Sequence, residues 1–328
     1  MKQTHEQLSL RLMSYLRAEF DDTTLRYAAP LHPIQGGFET QIFLLQLQSE
    51  RDVFPTPWVV RLYPERSGPR RRSGTAQFSR RWQIRAMPVP RCHLLCSDLS
   101  VLGGSFFIMD FLAGEPLAKA PGASAPTLLG QAHAKLHKID PERLIQAFDD
   151  QQIHEARYRL DNRFADLATR TRSILWLGPA VDWLIENRPS EPETLAICHG
   201  DFHPFNILAQ DGVVTGVLDW PGFVIADPVL DVAATMVLMT IPVKQLAPAL
   251  GLELTADDID LFVRTYLQAY QAERSLDLSH LDYYRAWRCV HALLEGVEGQ
   301  ESWQHPRIVE DLQSCVYEVT GLRVVAPM

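Results

Sequence analysis

Two carboxylates and an amide stand at a spacing suited to a metal-bound phosphate. Asp201 and Asn206 are separated by four residues, and Asp219 closes the apolar run at residues 213–218. Carboxylate and amide oxygens are hard ligands of the kind that Mg²⁺ prefers. An Asp placed this way before an Asn, with a strand-like run ending in a second Asp, is typical of loops that position a phosphoryl group. We therefore predict that the three side chains converge on one Mg²⁺-nucleotide.

The first third of the chain is predicted to form an antiparallel sheet with helices around it. Leu8, Leu12 and Leu16 recur at helical spacing, which indicates an opening amphipathic helix. One further helix is expected at about residues 75–86. Apolar runs bounded by turn residues predict strands at 42–47, 58–63, 92–96 and 105–109.

After residue 112 the pattern becomes mainly helical, with prolines marking the crossing. We therefore predict two domains, at residues 1–112 and 113–328. Helices of the second domain are expected around residues 128–137 and near 151–173, 178–187, 228–240, 256–273, 279–298 and 305–319.

Composition indicates a globular protein of 328 residues with a sizeable core, since 46% of its residues are hydrophobic. The five cysteines are scattered, which favours reduced thiols over a disulfide framework. The N-terminus shows no apolar segment behind a basic start, and we expect a cytoplasmic protein with no membrane partner.

Charge is divided unevenly along the chain, whose formal net charge is −9. Residues 1–110 carry 14 Lys and Arg against 10 Asp and Glu, and residues 111–328 carry 17 against 30. The arginines between residues 66 and 85 are interpreted as a solvated surface, because the net charge argues against a nucleic-acid partner. The acidic second part favours a cationic small molecule.

Several stretches in order along the chain resemble the aminoglycoside phosphotransferase and choline kinase family of small-molecule kinases. The resemblance implies an α+β, bilobal, protein-kinase-like fold with a small antiparallel-sheet N-lobe and a larger, mostly helical C-lobe. It also implies an ATP- and Mg²⁺-dependent transfer of phosphate to a hydroxyl, with GTP left open as the nucleotide. The matching residues are 36–38, 58–62, 132–137, 198–208, 216–220, 226–228 and 231–233.

The resemblance assigns roles within the catalytic loop. Asp201 is expected to accept the proton of the acceptor hydroxyl, while Asn206 and Asp219 bind Mg²⁺. His199 is expected to pack behind the loop. Asp231 lies in an apolar helix, where a carboxylate needs a partner, and we predict that it braces the loop.

The nucleotide is expected to meet residues of the first domain. Gly36 and Gly37 precede a strand and would let backbone amides approach phosphates. Arg61 stands where the family places a basic residue against those phosphates, and would hold them through its planar fork. By the same resemblance, Asp110 and Leu112, at the domain crossing, are assigned to nucleotide binding.

One feature departs from the kinase pattern. A Glu on the first-domain helix normally pairs with the basic residue, yet no Asp or Glu occurs between Glu65 and Asp98. The partner of Arg61 is therefore left open. This gap keeps a catalytically degenerate nucleotide-binding protein as an alternative.

The acceptor is predicted only by class. We expect a small molecule with a hydroxyl, either a cationic aminoglycoside or amino alcohol, or alternatively a macrolide, a hydroxyacyl metabolite or another bulky neutral alcohol. His203, Trp287 and Glu298 are candidate substrate contacts. Oligomeric state is left as monomer or homodimer. His133 and His137, four apart on a helix, are interpreted as packing residues because no third metal ligand is evident.

Overall fold

A computed structural model describes residues 4–34, 40–51, 54, 57–64, 87–119, 124–150, 152–220, 222–248, 251 and 253–325. The predicted glycine contacts at Gly36 and Gly37, and the helix expected at 75–86, lie outside the described residues. The chain divides into two compact units. The first contains residues 1–114 and 215–221, and the second contains residues 115–214 and 222–328.

The first unit is built on a five-stranded antiparallel sheet in the order β1-β2-β3-β5-β4. Helix α1 (His5–Glu19) begins at a capping box in which Thr4 and Gln7 satisfy each other's backbone N–H groups. The strands are β1 (Arg26–Ile34), β2 (Gln41–Gln48), β3 (Trp58–Pro64), β4 (Cys92–Cys96) and β5 (Gly104–Asp110), with the short α2 (Leu99–Leu102) between the last two.

Strand β1 was not predicted from the sequence. It contains Pro30 and Pro33, which cannot donate to a ladder, and it accordingly occupies a sheet edge. The predicted strands β2 to β5 are confirmed, and β4 pairs antiparallel with β5.

The two faces of β3 have different neighbours. Val60 and Leu62 belong to the core cluster formed with α1, whereas Val59 and Tyr63 belong to a second cluster. Because side chains alternate along a strand, Arg61 lies on the same face as Val59 and Tyr63. It is thereby held on the side of the sheet away from α1.

The two compact units differ from the predicted domains 1–112 and 113–328, because Thr215–Pro221 belongs to the first unit. Val217 donates its N–H to the Pro88 carbonyl at 2.8 Å, and Arg61 contacts Asp219. These contacts join residues far apart in sequence, which is why hydrophobic periodicity gave no sign of them.

The second unit is mainly helical, as predicted. Helix α7 carries an aspartate N-cap, Asp227, followed by Pro228 as its first residue. The helices are α3 (Ser124–His137), α4 (Glu142–Asp150), α5 (Leu160–Thr171), α6 (Gly178–Glu186), α7 (Pro228–Thr240), α8 (Val243–Leu246), α9 (Ala256–Glu273), α10 (Leu281–Val297) and α11 (Pro306–Thr320).

The helix predicted near 151–173 is shorter at its start than expected, and α4 precedes it. Asp140 caps α4 by accepting from the N–H of Glu142, and Gln152 has a φ of 55°, which breaks the helical path. A 3₁₀ turn, Glu155–Arg157, then leads into α5.

Short strands of the second unit frame the catalytic loop. β7 (Ala196–Cys198) pairs antiparallel with β10 (Val224–Ala226), and β6 (Glu115–Pro116) pairs with β8 (Ile207–Gln210). β9 (Val213–Val217) follows β8. Residues 199–206 therefore connect one short strand, β7, to another, β8.

Helix α7 is central to the core of the second unit. Its residues from Pro228 to Thr235 are all buried. Within the described ranges one stretch, Pro228–Leu246, is long and apolar enough to cross a membrane by length and composition, and 56% of its most apolar window is buried. Core helices have the same properties, and α7 contributes Val229, Leu230, Ala233 and Val237 to the main hydrophobic cluster.

Candidate active site

An ion pair joins Arg61 and Asp219 within the first unit. Arg61 Nη2 lies 2.8 Å from Asp219 Oδ2, and the side chains are 12% and 25% exposed. Thr40 Oγ1 accepts from Arg61 Nε at 3.3 Å, and the guanidinium lies 5.4 Å from the Tyr63 ring centroid. Asp219 thus supplies the carboxylate that the sequence did not reveal opposite Arg61.

Asp219 is held in an unusual backbone conformation. Its φ is 62°, in the left-handed region that non-glycine residues rarely adopt. The neighbouring Trp220 is buried and donates its indole N–H to the Val217 carbonyl at 3.0 Å. A strained backbone beside a tightly packed neighbour is common where a side chain must be aimed for function.

Asp110 ends β5 and is engaged by polar neighbours. Its Oδ1 lies 2.6 Å from His93 Nε2, and its Oδ2 accepts from the N–H of Arg91 at 3.0 Å. The His93 ring stacks on Trp58 with centroids 4.5 Å apart. Leu112 is half-buried just beyond the strand. The nucleotide-binding roles of Asp110 and Leu112 stay predictions.

In the second unit, Asp201, His203 and Asn206 form one polar group. Asn206 Nδ2 lies 3.0 Å from the Asp201 carbonyl and 3.2 Å from Asp201 Oδ2. Since both of these atoms are acceptors, the amide nitrogen must face them, and Asn206 Oδ1 points to the other side. His203 Nε2 lies 3.5 Å from Asp201 Oδ1.

Asp201 is an ionised, partly accessible carboxylate. Its side chain is 31% exposed. Burial by itself raises the pKa of Asp201, but the charge and hydrogen bond of His203, with the charges of Arg288 and His199, more than offset burial and lower this pKa below its usual range. The carboxylate is therefore ionised and can accept a hydrogen bond from an alcohol.

The backbone of the catalytic loop is held by α7. Asp231 Oδ2 accepts from the His199 N–H at 2.5 Å, and Asp231 Oδ1 accepts from the Gly200 N–H at 2.8 Å. Thr235 Oγ1 donates to the Phe202 carbonyl at 2.8 Å. These contacts fix the backbone on both sides of Asp201.

His199 lies wholly buried behind the loop, where its Nδ1 accepts from the Asp201 N–H at 3.2 Å. Its side chain therefore orients the residue expected to act as the base. This contact fits a positioning role for His199.

Asp231 also ties α3 and α9 to the loop through two histidines. His133 Nε2 and His137 Nε2 lie 3.0 and 3.3 Å from Asp231 Oδ2. Their Nδ1 atoms contact the hydroxyls of Tyr266 and Tyr270, at 2.7 and 2.8 Å respectively. Because a carboxylate only accepts, each Nε2 carries the proton and each tyrosine donates to Nδ1.

These three side chains have the composition of a metal site, since their ligand atoms lie within 4.8 Å of one another. Direct hydrogen bonds nevertheless account for every imidazole nitrogen, and all three side chains are wholly buried. Burial lowers the pKa of His137 to about 3, although the hydrogen bond to Asp231 favours the protonated form. We therefore interpret the cluster as a hydrogen-bonded network around the Asp231 carboxylate that supports the loop.

Gly200 is required by its surroundings. Its φ is 79°, and a Cβ at this position would lie 2.4 Å from the carbonyl oxygen of Gly222. The two glycines let the loop approach the segment that follows Asp219 more closely than side chains permit.

The remaining candidate substrate contacts are differently placed. Trp287 is 8% exposed and belongs to the core cluster of the second unit. Glu298 Oε1 accepts from Arg170 Nε at 2.8 Å, and Glu298 Oε2 pairs with Arg170 Nη2. This carboxylate already has a cationic partner, and a contact between Glu298 and substrate stays a prediction.

Known proteins resemble the chain in sequence and in fold. Residues 30–287 match the profile of the phosphotransferase enzyme family. The chain belongs to this family. The resemblance inferred from the loop motif is thereby confirmed.

Two solved structures share the fold. The GDP and kanamycin complex of APH(2")-IIia has a TM-score of 0.57 at 17% identity, over 94% of this chain and 99% of that one. A macrolide 2'-phosphotransferase type I has a TM-score of 0.55 at 16% identity, over 100% of both chains. The predicted α+β kinase-like fold is confirmed.

A curated relative is a probable acyl-CoA dehydrogenase of Arabidopsis thaliana. It is 28% identical over 166 residues, which cover 45% of this chain and 20% of the relative. The match thus spans about a fifth of that protein.

Proposed function

We propose that this phosphotransferase uses ATP and Mg²⁺ to phosphorylate a hydroxyl of a small molecule, with Asp201 as the general base. The observation that supports this proposal best is the accessible, ionised Asp201 carboxylate on a loop anchored to a buried helix. An aligned base contributes roughly 10²–10⁴-fold to such a transfer.

The donor atoms fit Mg²⁺. Asn206 Oδ1 and the Asp219 carboxylate are hard oxygen ligands, and Asn206 is oriented by its bonds to Asp201. Bound Mg²⁺ would neutralise charge on the phosphates as the phosphoryl group moves. Arg61 is proposed to hold the nucleotide phosphates, and its bond to Asp219 keeps the guanidinium in place.

The chain's own residues then perform the proton transfer. The acceptor hydroxyl donates a hydrogen bond to Asp201 and passes its proton to that carboxylate as its oxygen bonds to the γ-phosphorus of ATP, while the bond from that phosphorus to the bridging oxygen breaks and ADP leaves. His199 and Asp231 keep the loop backbone still during this step. A fixed base lowers the entropic part of the barrier.

The main argument for a catalytically degenerate nucleotide-binding protein is weakened. It rested on the missing carboxylate opposite Arg61, and Asp219 fills that position in the first unit. Nucleotide binding is also supported by the GDP complex of one structural neighbour.

The acceptor class has two candidates. Kanamycin bound to a neighbour supports a cationic amino sugar. The acyl-CoA dehydrogenase relative supports an alcohol that carries an acyl chain, one of the alternatives raised by the sequence. The pairing of Glu298 with Arg170 favours the second candidate.

Nucleotide and metal binding can be tested without knowing the acceptor. Thermal stabilisation by a non-hydrolysable ATP analogue should increase when Mg²⁺ is added to the wild-type protein, because a ligand of the folded state raises its stability by mass action. The Mg²⁺-dependent part should disappear in Asp219→Ala. A full Mg²⁺ effect in that variant would remove Asp219 from the metal site.

The nearby Asp211→Ala provides the matched control. Asp211 lies in the turn between β8 and β9, and its removal should leave the Mg²⁺ effect unchanged.

A further inference from the structure

Four buried side-chain nitrogens of the second unit have no hydrogen-bond partner within the described part of the chain. They are Trp287 Nε1, Arg288 Nε, His291 Nε2 and Trp303 Nε1. Their residues are 8%, 7%, 9% and 3% exposed. Buried polar atoms in folded proteins are nearly always paired, so four such atoms in one region require an explanation.

The four residues form one cluster around α10 and the turn that follows it. His291 comes four residues after Trp287 and three after Arg288, which places it beside both on the helix surface. The His291 and Trp287 ring centroids are 4.1 Å apart, and the Arg288 guanidinium lies 4.8 Å from the Trp303 ring centroid.

His291 lies near positively charged arginine side chains. Burial, together with the charges of Arg288, Arg170 and Arg163, lowers the pKa of His291 well below its usual range. The charges of these arginines would attract an anion to the vicinity of His291.

Carboxylates near the cluster engage other atoms of the arginines. Glu295 accepts from Arg288 Nη1 at 3.3 Å, while Glu298 and Asp166 pair with Arg170. Arg288 Nε and the two indole N–H groups remain. These groups only donate, so the missing partner must be an acceptor, and the adjacent guanidinium favours a negatively charged one.

The cluster also packs against the helix that holds the proposed base. Trp287 belongs to the core cluster that contains Leu230 and Ala233 of α7. Asp231 of the same helix accepts from the loop N–H groups that precede Asp201.

We propose that Arg288, His291 and the indole N–H groups of Trp287 and Trp303 form an anion-binding subsite for the acceptor molecule. The acceptor class is then an alcohol that carries a carboxylate or a phosphate. This inference rests on the proposed function, because it assigns the acceptor of the same reaction. An anionic acceptor replaces the cationic acceptor expected from the net charge, because the arginine and indole N–H groups of the cluster are hydrogen-bond donors.

Matched compounds test the subsite directly. The set consists of ω-hydroxycarboxylates, with the diols, amino alcohols and ω-hydroxyalkyl phosphates of the same chain lengths, and affinity for the wild-type protein is measured by calorimetry. We expect an anionic member to bind roughly 10- to 100-fold more tightly than its diol, the effect of a charged hydrogen bond in a buried site. The two anionic arms distinguish a carboxylate site from a phosphate site.

Two variants and a control complete the experiment. Arg288→Met should abolish the anion preference. Trp303→Phe, which keeps the ring beneath the guanidinium and removes one N–H, should reduce it. Trp183→Phe, at a half-buried tryptophan of α6 that contacts Tyr283, should leave it unchanged.

The outcomes separate the two proposals. Anions that bind no better than diols, or a preference that survives in both Arg288→Met and Trp303→Phe, would overturn the subsite. ADP formation is measured in parallel with ATP and Mg²⁺. Retained anion preference without turnover would count against the proposed phosphoryl transfer and leave the subsite supported.

Discussion

Removal of the Asp231 carboxylate should destabilise the second unit and loosen the catalytic loop. Asp231 is wholly buried, and its two oxygens accept from four donors: the N–H groups of His199 and Gly200 and the Nε2 atoms of His133 and His137. The depressed pKa of Asp231, which these histidines hold well below its usual range despite burial, shows that the ionised form is the one stabilised.

The size of the effect follows from the donors left behind. Each buried donor without a partner costs about 1–3 kcal/mol. The two imidazoles can change tautomer, but the N–H groups of His199 and Gly200 cannot. We therefore expect Asp231→Ala to lower the free energy of unfolding by about 3–5 kcal/mol, the range for breaking a buried charged pair.

Urea unfolding measures the stability, and hydrogen exchange at the amides of His199 and Gly200 measures the loop. Both amides should exchange faster in Asp231→Ala, by more than the loss of global stability explains. Asp227→Ala is the matched control, because it removes a carboxylate that caps the N–H of Val229 at the start of the same helix and lies 3.5 Å from His280 Nδ1, and it should cost about 1 kcal/mol. An Asp231→Ala protein within 1 kcal/mol of wild type, with both amides still protected, would refute this reasoning.

Two further predictions concern the same region. Gly200→Ala should destabilise the protein by about 1–3 kcal/mol more than Gly212→Ala, because both have positive φ but only a Cβ at position 200 meets the Gly222 carbonyl; equal urea midpoints would contradict this. The free energy of unfolding should fall by about 1.4 kcal/mol between pH 7.5 and 5.5 through His137 alone, since its folded pKa of about 3 lies below the ordinary 6.5 and the unfolded chain takes up the proton first. His137→Gln should lack this part of the pH dependence, and an unchanged slope in that variant would show that His137 is not the group responsible.

Local parts of the site were predictable from sequence because they depend on local spacing. Asp201 and Asn206 are five residues apart in one loop, and their contact follows from that loop's compactness. The need of Asp231 for a partner also followed from its place in an apolar helix. Its partners include two backbone N–H groups of the loop, which agrees with the prediction that Asp231 braces the loop.

Long-range pairings were not predictable in the same way. Arg61 and Asp219 are 158 positions apart in the sequence. No local sequence pattern around either residue indicates that the two side chains form an ion pair. The tyrosines that bond His133 and His137 offered a weak signal, because Tyr266 and Tyr270 repeat the same four-residue spacing on a second helix. Because the sequence does not show that α3 packs on α9, this repeated spacing could not be interpreted as a contact between the two helices.

Side-chain packing was the feature of the structure that the sequence predicted least well. Trp287 was expected as a substrate contact, and the structure places it in the core cluster of the second unit. The four unpartnered nitrogens around it depend on rotamers, which hydrophobic periodicity does not encode. The positive character of this region is hidden in a chain with a net charge of −9.

The central claim is that Asp201 serves as the base of an ATP- and Mg²⁺-dependent phosphoryl transfer to an alcohol. The most direct measurement is ADP and phosphorylated-product formation by wild type and Asp201→Asn, across the matched hydroxy compounds together with amino sugars and macrolides. We predict acceptor- and Mg²⁺-dependent turnover that falls roughly 10²–10⁴-fold in Asp201→Asn, with stabilisation by the ATP analogue retained. Equal turnover by the two proteins on the same acceptor would contradict the account.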